Sequence, residues 1–123
     1  MCGFAGKVNT KQIEKNRNIE LGMKAALKSL HPRGPDHQGI YTDEYSYLVH
    51  ARLSIIDTSD NGSQPMNKYN KTIVYNGEIY NYIELKKELE ELGYKFRSNS
   101  DTEVVLVAFD HWGDKCFEKF EGM

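Results

Sequence analysis

The period of the apolar residues changes only a few times along this chain, and the order of those changes does not fit a simple βαβ alternation. Met1 to Val8 has the makings of a strand, with Phe4 and Val8 set among the small residues Gly3, Ala5 and Gly6. Those small residues let another backbone or a ligand come close. Ile19, Met23, Ala26, Leu27 and Leu30 then recur at helical spacing, which predicts an amphipathic helix over Lys15 to Leu30. Pro32 and Gly34-Pro35 end it. Three β-rich stretches follow, at Gly39 to Tyr41, Tyr45 to His50 and Arg52 to Ile56. Asp57 to Asn70, rich in Asn, Ser, Gly and Pro, is expected to be a loop, and Thr72 to Tyr75 a strand ending at Asn76-Gly77. Asn81 stands three residues before Glu84 as a cap-like helix start. Tyr82, Leu85, Leu89 and Leu92 form that helix's buried stripe, and Gly93 suits its C′ position. Ser100-Asp101-Thr102-Glu103 is a second capping box, opening an apolar helix to about Asp110. A last helix is expected after Asp114, with Phe117 and Phe120 facing inward. The order is strand, helix, several strands, then helices, which predicts an α+β layered fold with antiparallel strands.

With 123 residues the chain is about one domain long. Its 16 basic and 18 acidic residues are interspersed, so no basic patch points to nucleic acid. The charge run from Glu84 to Glu91 reads as the solvated face of a helix. The start lacks the positive and apolar regions of a signal peptide. No apolar run approaches the ~20 residues of a membrane span. A soluble, cytoplasmic protein without a membrane partner is the expectation. Cys2 and Cys116 lie far apart without ligand spacing, which suggests neither a disulfide framework nor a zinc site. His31, His37, His50 and His111 form no metal-ligand pattern and read as surface or structural residues. Cys116, among Trp112, Phe117 and Phe120, reads as a core thiol, and no metal is expected.

Four sets of residues could carry chemistry, and each has a plainer reading beside it. Removal of Met1 would leave Cys2 with a thiol and a free α-amine. That amine, with a reference pKa of about 7.7–8.0, is a base placed beside the nucleophile it would activate. The plainer reading is an ordinary cysteine near a chain start. Asn76-Gly77 is either a tight turn or an oxyanion hole, in which the Asn amide and the next N–H donate to one developing negative oxygen. Arg52 is either an exposed strand residue or a bidentate clamp for a carboxylate. Asp101 is either a helix N-terminal charge or the partner of an ammonium group. Together they are what the hydrolysis of a free amino-acid amide needs.

Several motifs then carry a family resemblance. Met1-Cys2-Gly3-Phe4-Ala5-Gly6 resembles the opening of class II glutamine amidotransferases, which are N-terminal-nucleophile hydrolases. Arg33-Gly34-Pro35-Asp36 resembles that family's H-R-G-P-D loop, with Pro32 standing where the family usually has His. His50-Ala51-Arg52-Leu53-Ser54-Ile55-Ile56-Asp57, Gln64-Pro65, Asn76-Gly77-Glu78-Ile79-Tyr80-Asn81-Tyr82 and Ser100-Asp101-Thr102-Glu103-Val104 are similar to four further signals, in the family's order. They span the chain, and their wording resembles the asparagine synthetase branch.

The resemblance implies an αββα sandwich of two antiparallel sheets, incomplete here, with residues 1–123 as the N-terminal part of a type 2 glutamine amidotransferase domain. It implies that Cys2 attacks the side-chain amide of L-glutamine and that its own α-amine takes the thiol proton. Asn76 and the Gly77 N–H would stabilise the oxyanion. Arg52 would bind the α-carboxylate, Asp101 with Glu78 the α-ammonium, and Ile55 the substrate through its backbone. The implied products are glutamate and ammonia, the latter used by a synthetase domain for ATP-dependent amidation of aspartate. That C-terminal domain, with its ATP and Mg²⁺, is absent from the sequence, so no cofactor is expected in this chain. Open sheet edges would then favour aggregation or a homodimer. Two other readings stay open: an inactive glutamine-binding fragment, and an amidotransferase serving an acceptor other than aspartate.

Overall fold

The structure, a computed structural model, describes residues 2–54 and 59–123. They fall into two compact units. The described residues of the first are 2–54, 63–65 and 74–76, and those of the second are 59–62, 66–73 and 77–123.

The first unit is a three-stranded antiparallel sheet with one helix on it. Strands β1 (Gly3–Val8), β2 (His37–Thr42) and β3 (Ser46–Arg52) lie in the order β1-β3-β2. Gly3 pairs with Ala51 and His37 with Arg52, so the start of β1 and the start of β2 meet at the far end of β3. Asp43 makes the β2–β3 turn: its Oδ1 accepts from the Tyr45 N–H at 2.8 Å, the Ser46 N–H at 2.6 Å and the Ser46 hydroxyl at 2.9 Å. An aspartate satisfying the turn in this way sets the register of the hairpin. Helix α1 (Arg17–Leu30) starts at Asn16, whose Oδ1 accepts from Asn18 N at 3.0 Å and Ile19 N at 3.2 Å. The expected stripe is the one observed: Ile19, Met23, Ala26, Leu27 and Leu30 are its less exposed positions. The helix comes down on β1 because Gly3 has no side chain; a Cβ there would sit 2.8 Å from Leu30 Cδ2. The chain then makes a single 3₁₀ turn at His31–Arg33.

The second unit is built around helix α3 (Asp101–Trp112). Val104, Leu106, Val107 and Ala108 are buried, as befits a helix that is apolar on most sides. Helix α2 (Tyr82–Glu91) lays Leu85 and Leu89 against it. Burying side chains of this size contributes roughly 1.5–3 kcal/mol each. α2 ends at Gly93, which has φ 97°. The Gly93 N–H donates to Glu90 O at 3.0 Å and the Tyr94 N–H to Leu89 O at 3.0 Å, a Schellman close. β4 (Met66–Lys68) and β5 (Lys71–Ile73) form an antiparallel hairpin that packs on α3. Among the described residues no helix is long and apolar enough to cross a membrane.

Several local expectations need correction. Arg52 closes β3 instead of opening a further strand; Leu53 and Ser54 are outside any strand, and residues 55–56 lie outside the described ones. The expected loop 57–70 contains β4, and the hairpin turn is Tyr69-Asn70, with φ 50° and 57°, rather than Asn76-Gly77. β5 ends at Ile73, two residues earlier than expected. Leu92 is exposed because it is already the C-cap, where the chain leaves the helix. Asn81 makes no side-chain cap; its amide reaches Lys119 O at 2.9 Å and accepts from the Glu121 N–H at 3.0 Å. Ser100 does cap α3, but Glu103 does not complete the box, because it is buried and bonded elsewhere. The last helix is a 3₁₀ segment, Gly113–Glu118. Its tighter winding places Cys116 inward and leaves Phe117 exposed, its ring against those of Phe109 and Phe120.

Candidate active site

Each unit gathers part of the predicted set. In the first unit, Cys2 leads into β1 and its half-buried thiol lies on the Leu53 peptide. The Leu53 N–H donates to Sγ at 3.3 Å, and the thiol faces the Leu53 carbonyl oxygen at 3.5 Å. Leu53 directly follows Arg52, so the predicted nucleophile and the predicted carboxylate clamp share one end of β3. Arg52 is 7% exposed and reaches Ser63 Oγ at 3.5 Å. It is therefore not the exposed strand residue of the plainer reading.

The Arg33-Gly34-Pro35-Asp36 segment holds that end together. Arg33 Nε donates to the Cys2 carbonyl at 3.3 Å. The Asp36 N–H donates to Arg52 O at 3.0 Å, and Asp36 Oδ2 accepts from the Ser54 N–H at 2.8 Å. A side chain on Gly34 would lie 2.2 Å from the Ala51 carbonyl, so only glycine lets the loop lie against β3. This explains physically why the motif's glycine and aspartate stand where they do.

Asn76 is exposed at the end of the stretch 74–76. The preceding residue, Tyr75, is held at both backbone groups. Its N–H donates to Gln64 Oε1 at 2.6 Å, and its carbonyl lies 3.2 Å from His50 Nε2.

In the second unit, Glu78 is fixed through its backbone: its N–H donates to Met123 O at 2.8 Å, and its carbonyl accepts from the Met123 N–H at 2.9 Å. Asp101, 5% exposed, is the first residue of α3. Its Oδ2 accepts from the Ile79 N–H at 3.0 Å and its Oδ1 from the Thr102 N–H at 2.9 Å. Burial pushes the Asp101 carboxyl above the usual aspartate range; the two N–H donors oppose this, and the Glu78 carboxylate adds to it. No ion pair among the described residues involves Asp101 or Glu78. A buried carboxylate whose proton affinity a neighbouring carboxylate raises is suited to an ammonium group, which would offset that repulsion. Gly77 is exposed, and Ile55 lies outside the described residues, as does Met1.

A profile described as glutamine amidotransferase domain matches residues 1–123. The chain belongs to the glutamine amidotransferase domain family. This amidotransferase domain is 42% identical over 125 residues to asparagine synthetase (glutamine-hydrolyzing) 1 of Bacillus subtilis (strain 168). It is 35% identical over 128 residues to synthetase 3 of the same organism, and 38% identical over 128 residues to the asparagine synthetase (glutamine-hydrolyzing) of Zea mays. Each match covers 100% of this chain and 20% of the relative, so the chain spans about a fifth of the length of these curated relatives.

Sequence reasoning on the amidotransferase domain missed three residues. His50, fully buried on β3, reads by itself as a structural histidine; only its bond to Tyr75 connects it to Asn76. Gln64 is visible in the sequence as part of Gln64-Pro65, but its acceptor role is not. Glu103 looks like half of a capping box and is instead the buried partner of Lys68 at 2.7 Å. The open cleft of about 380 Å³ beside the start of α1, lined by Gln12, Asn16 and Tyr47 among others, contains none of the predicted site residues.

Proposed function

We propose that this chain is the glutamine-hydrolysing portion of an asparagine synthetase-type amidotransferase. The observation that carries this is the Cys2 thiol resting on the peptide that follows Arg52, in a chain matched over its whole length by the amidotransferase family. In this reading Met1 is removed, and the α-amine of Cys2 takes the thiol proton. Sγ bonds to the side-chain carbonyl carbon of glutamine, and the carbonyl oxygen becomes an oxyanion. The Asn76 amide and the Gly77 N–H donate to it. The C–N bond breaks, the proton passes to the leaving nitrogen, and ammonia departs. A thioester remains on Cys2. Water cleaves it, releasing glutamate and restoring the thiol.

Arg52 pairs with the α-carboxylate, Asp101 and Glu78 with the α-ammonium, and the Ile55 backbone contacts the substrate. The finer fold in this reading is the αββα sandwich of N-terminal-nucleophile hydrolases, in keeping with the antiparallel sheets. The ammonia serves the amidation of aspartate in a C-terminal synthetase domain, which supplies the ATP and Mg²⁺ chemistry.

Asn76→Ala tests the oxyanion assignment. Losing one such donor costs on the order of 10²–10³ in turnover. Steady-state glutaminase assays should show that loss with glutamine affinity retained; near-normal turnover would remove Asn76 from the mechanism. Acid provides a second test. Only ionised Asp101 can pair with an ammonium, and its carboxyl holds its proton at a higher pH than an ordinary aspartate. Glutamine KM should therefore rise as the pH falls through that elevated value. Asp101→Asn should bind glutamine weakly at every pH and lose this dependence. A KM profile that Asp101→Asn leaves unchanged would count against the ammonium role.

A further inference from the structure

The stretch 74–76 carries Asn76, yet β5 has already ended at Ile73, so among the described residues no strand ladder holds it. Two side chains do. A peptide group is planar, so bonding one of its polar atoms orients the whole plane. Gln64 Oε1 takes the Tyr75 N–H and thereby fixes the plane before Tyr75. His50 Nε2 takes the Tyr75 carbonyl and fixes the plane after it, which ends at the Asn76 Cα. With both planes pinned, the backbone of Tyr75 is set, and so is the point from which the Asn76 amide projects.

The chemistry of His50 suits this duty. A carbonyl only accepts, so Nε2 must carry the hydrogen. Nδ1 is then left as the lone pair of a neutral ring. It is buried and has no partner among the described residues, so a second proton there would be an unsatisfied buried donor. Burial, with the Arg52 and His37 charges, also holds the imidazole below its usual range, against the pull of the Tyr75 carbonyl. His50 is 0% exposed and Gln64 6%, so neither loses its grip to water.

We propose that His50 and Gln64 are positioning residues for glutamine hydrolysis, holding the Tyr75 peptides so that the Asn76 amide is aimed at the developing oxyanion. This rests on the reading of Asn76 as an oxyanion donor, and the test separates the two. It uses the protein at its natural full length and four variants: His50→Leu, His50→Gln, Asn76→Ala and the double variant of His50→Leu with Asn76→Ala. Misplacing a catalytic group by an ångström can cost up to about 100-fold. His50→Leu should lower kcat by about 10–100-fold on that scale with little change in KM. His50→Gln, which restores an N–H donor, should recover part of the loss. In the double variant, His50→Leu should add almost nothing to Asn76→Ala, because the group being aimed is gone. The rate of Cys2 alkylation by iodoacetamide should be the same in all four.

An unchanged kcat in His50→Leu overturns the proposal while leaving Asn76 in place. So does an equal cost of His50→Leu with and without Asn76, which is the mark of a merely structural residue. Normal turnover of Asn76→Ala removes the oxyanion reading and the proposal with it. Should His50→Leu fail to fold, Gln64→Met takes its place in the same cycle. Failure of both to fold would show the pair to be structural and would overturn the proposal as well.

Discussion

If Cys2 is the nucleophile of the proposed reaction, Cys2→Ala should abolish glutamine hydrolysis, and Cys2→Ser should come close to doing so. Removing a covalent nucleophile costs on the order of 10⁶ in turnover. The size of the effect follows from how little else can replace it. The α-amine has a reference pKa of about 7.7–8.0 against about 8.5 for a thiol, so proton transfer between them is nearly balanced near neutrality. A serine hydroxyl is far less acidic, so the same amine activates it less readily. Neither change should disturb the fold. Cys2 is half-buried, and the bonds of its thiol are to the Leu53 peptide, at an end of β3 that Arg33 and Asp36 also hold.

The other cysteine serves as the internal control. Cys116 is fully buried, and burial, reinforced by the Asp114 charge, pushes its thiol up. It should be inert. Treatment with a diazo-ketone analogue of glutamine, followed by peptide mapping, should yield one adduct, on Cys2, prevented by excess glutamine. Intact mass should show Met1 removed. An adduct on Cys116, or measurable turnover in Cys2→Ala, would place the nucleophile elsewhere.

The largest loss of stability is expected at Glu103. Its side chain is fully buried and gathers five contacts: Lys68 Nζ at 2.7 Å, the Arg97 N–H at 3.1 and 3.2 Å from its two oxygens, the Ser98 N–H at 2.8 Å and the Ser98 hydroxyl at 2.6 Å. Lys68 also donates to the Lys95 carbonyl. One carboxylate thus ties β4, α3 and the segment 97–98 into the second unit. Glu103→Ala leaves a largely buried ammonium without its counter-ion and two N–H groups without an acceptor. Breaking a buried pair from one side costs about 3–5 kcal/mol. Glu103→Gln keeps the shape and one acceptor and should lose less.

The pH dependence distinguishes this carboxylate from an ordinary surface one. Burial alone would raise its pKa, but Lys68, Ser98 and Arg97 outweigh that, and the carboxyl is held below the usual glutamate range. Its contribution is therefore fully present above the ordinary value and is lost as the pH falls through the lower, folded-state value. Urea unfolding at neutral pH should show the full deficit of Glu103→Ala, and the gap to the unaltered protein should narrow in acid. A deficit under about 1 kcal/mol, the range of an exposed pair, would contradict the buried-hub description.

What the order of residues determined by itself was local. The α1 stripe follows from the 3.6-residue period, and all five of its positions are the less exposed ones. The Asn16 and Ser100 caps and the Gly93 stop depend on groups within a few residues of one another, so spacing alone reveals them. The burial of Cys116 was legible for a similar reason, being set in an aromatic neighbourhood within its own short segment. The motifs, likewise, are runs of adjacent residues, and they indicated the family before any coordinate did.

Tertiary structure decided what joins distant residues. The Cys2 thiol meets Leu53 across 51 positions, His50 meets Tyr75 across 25, and Glu103 meets Lys68 across 35. No periodicity encodes such a meeting. It arises because antiparallel pairing brings Gly3 beside Ala51, and because a buried carboxylate must find its donors wherever the fold supplies them. Asn76-Gly77 shows the difference most directly. Its wording is that of a hairpin turn, but that turn is formed at Tyr69-Asn70, where the register of β4 and β5 requires positive φ at both residues. Asn76 lies outside the ladders of the described residues, next to a Tyr75 backbone held by the side chains of His50 and Gln64.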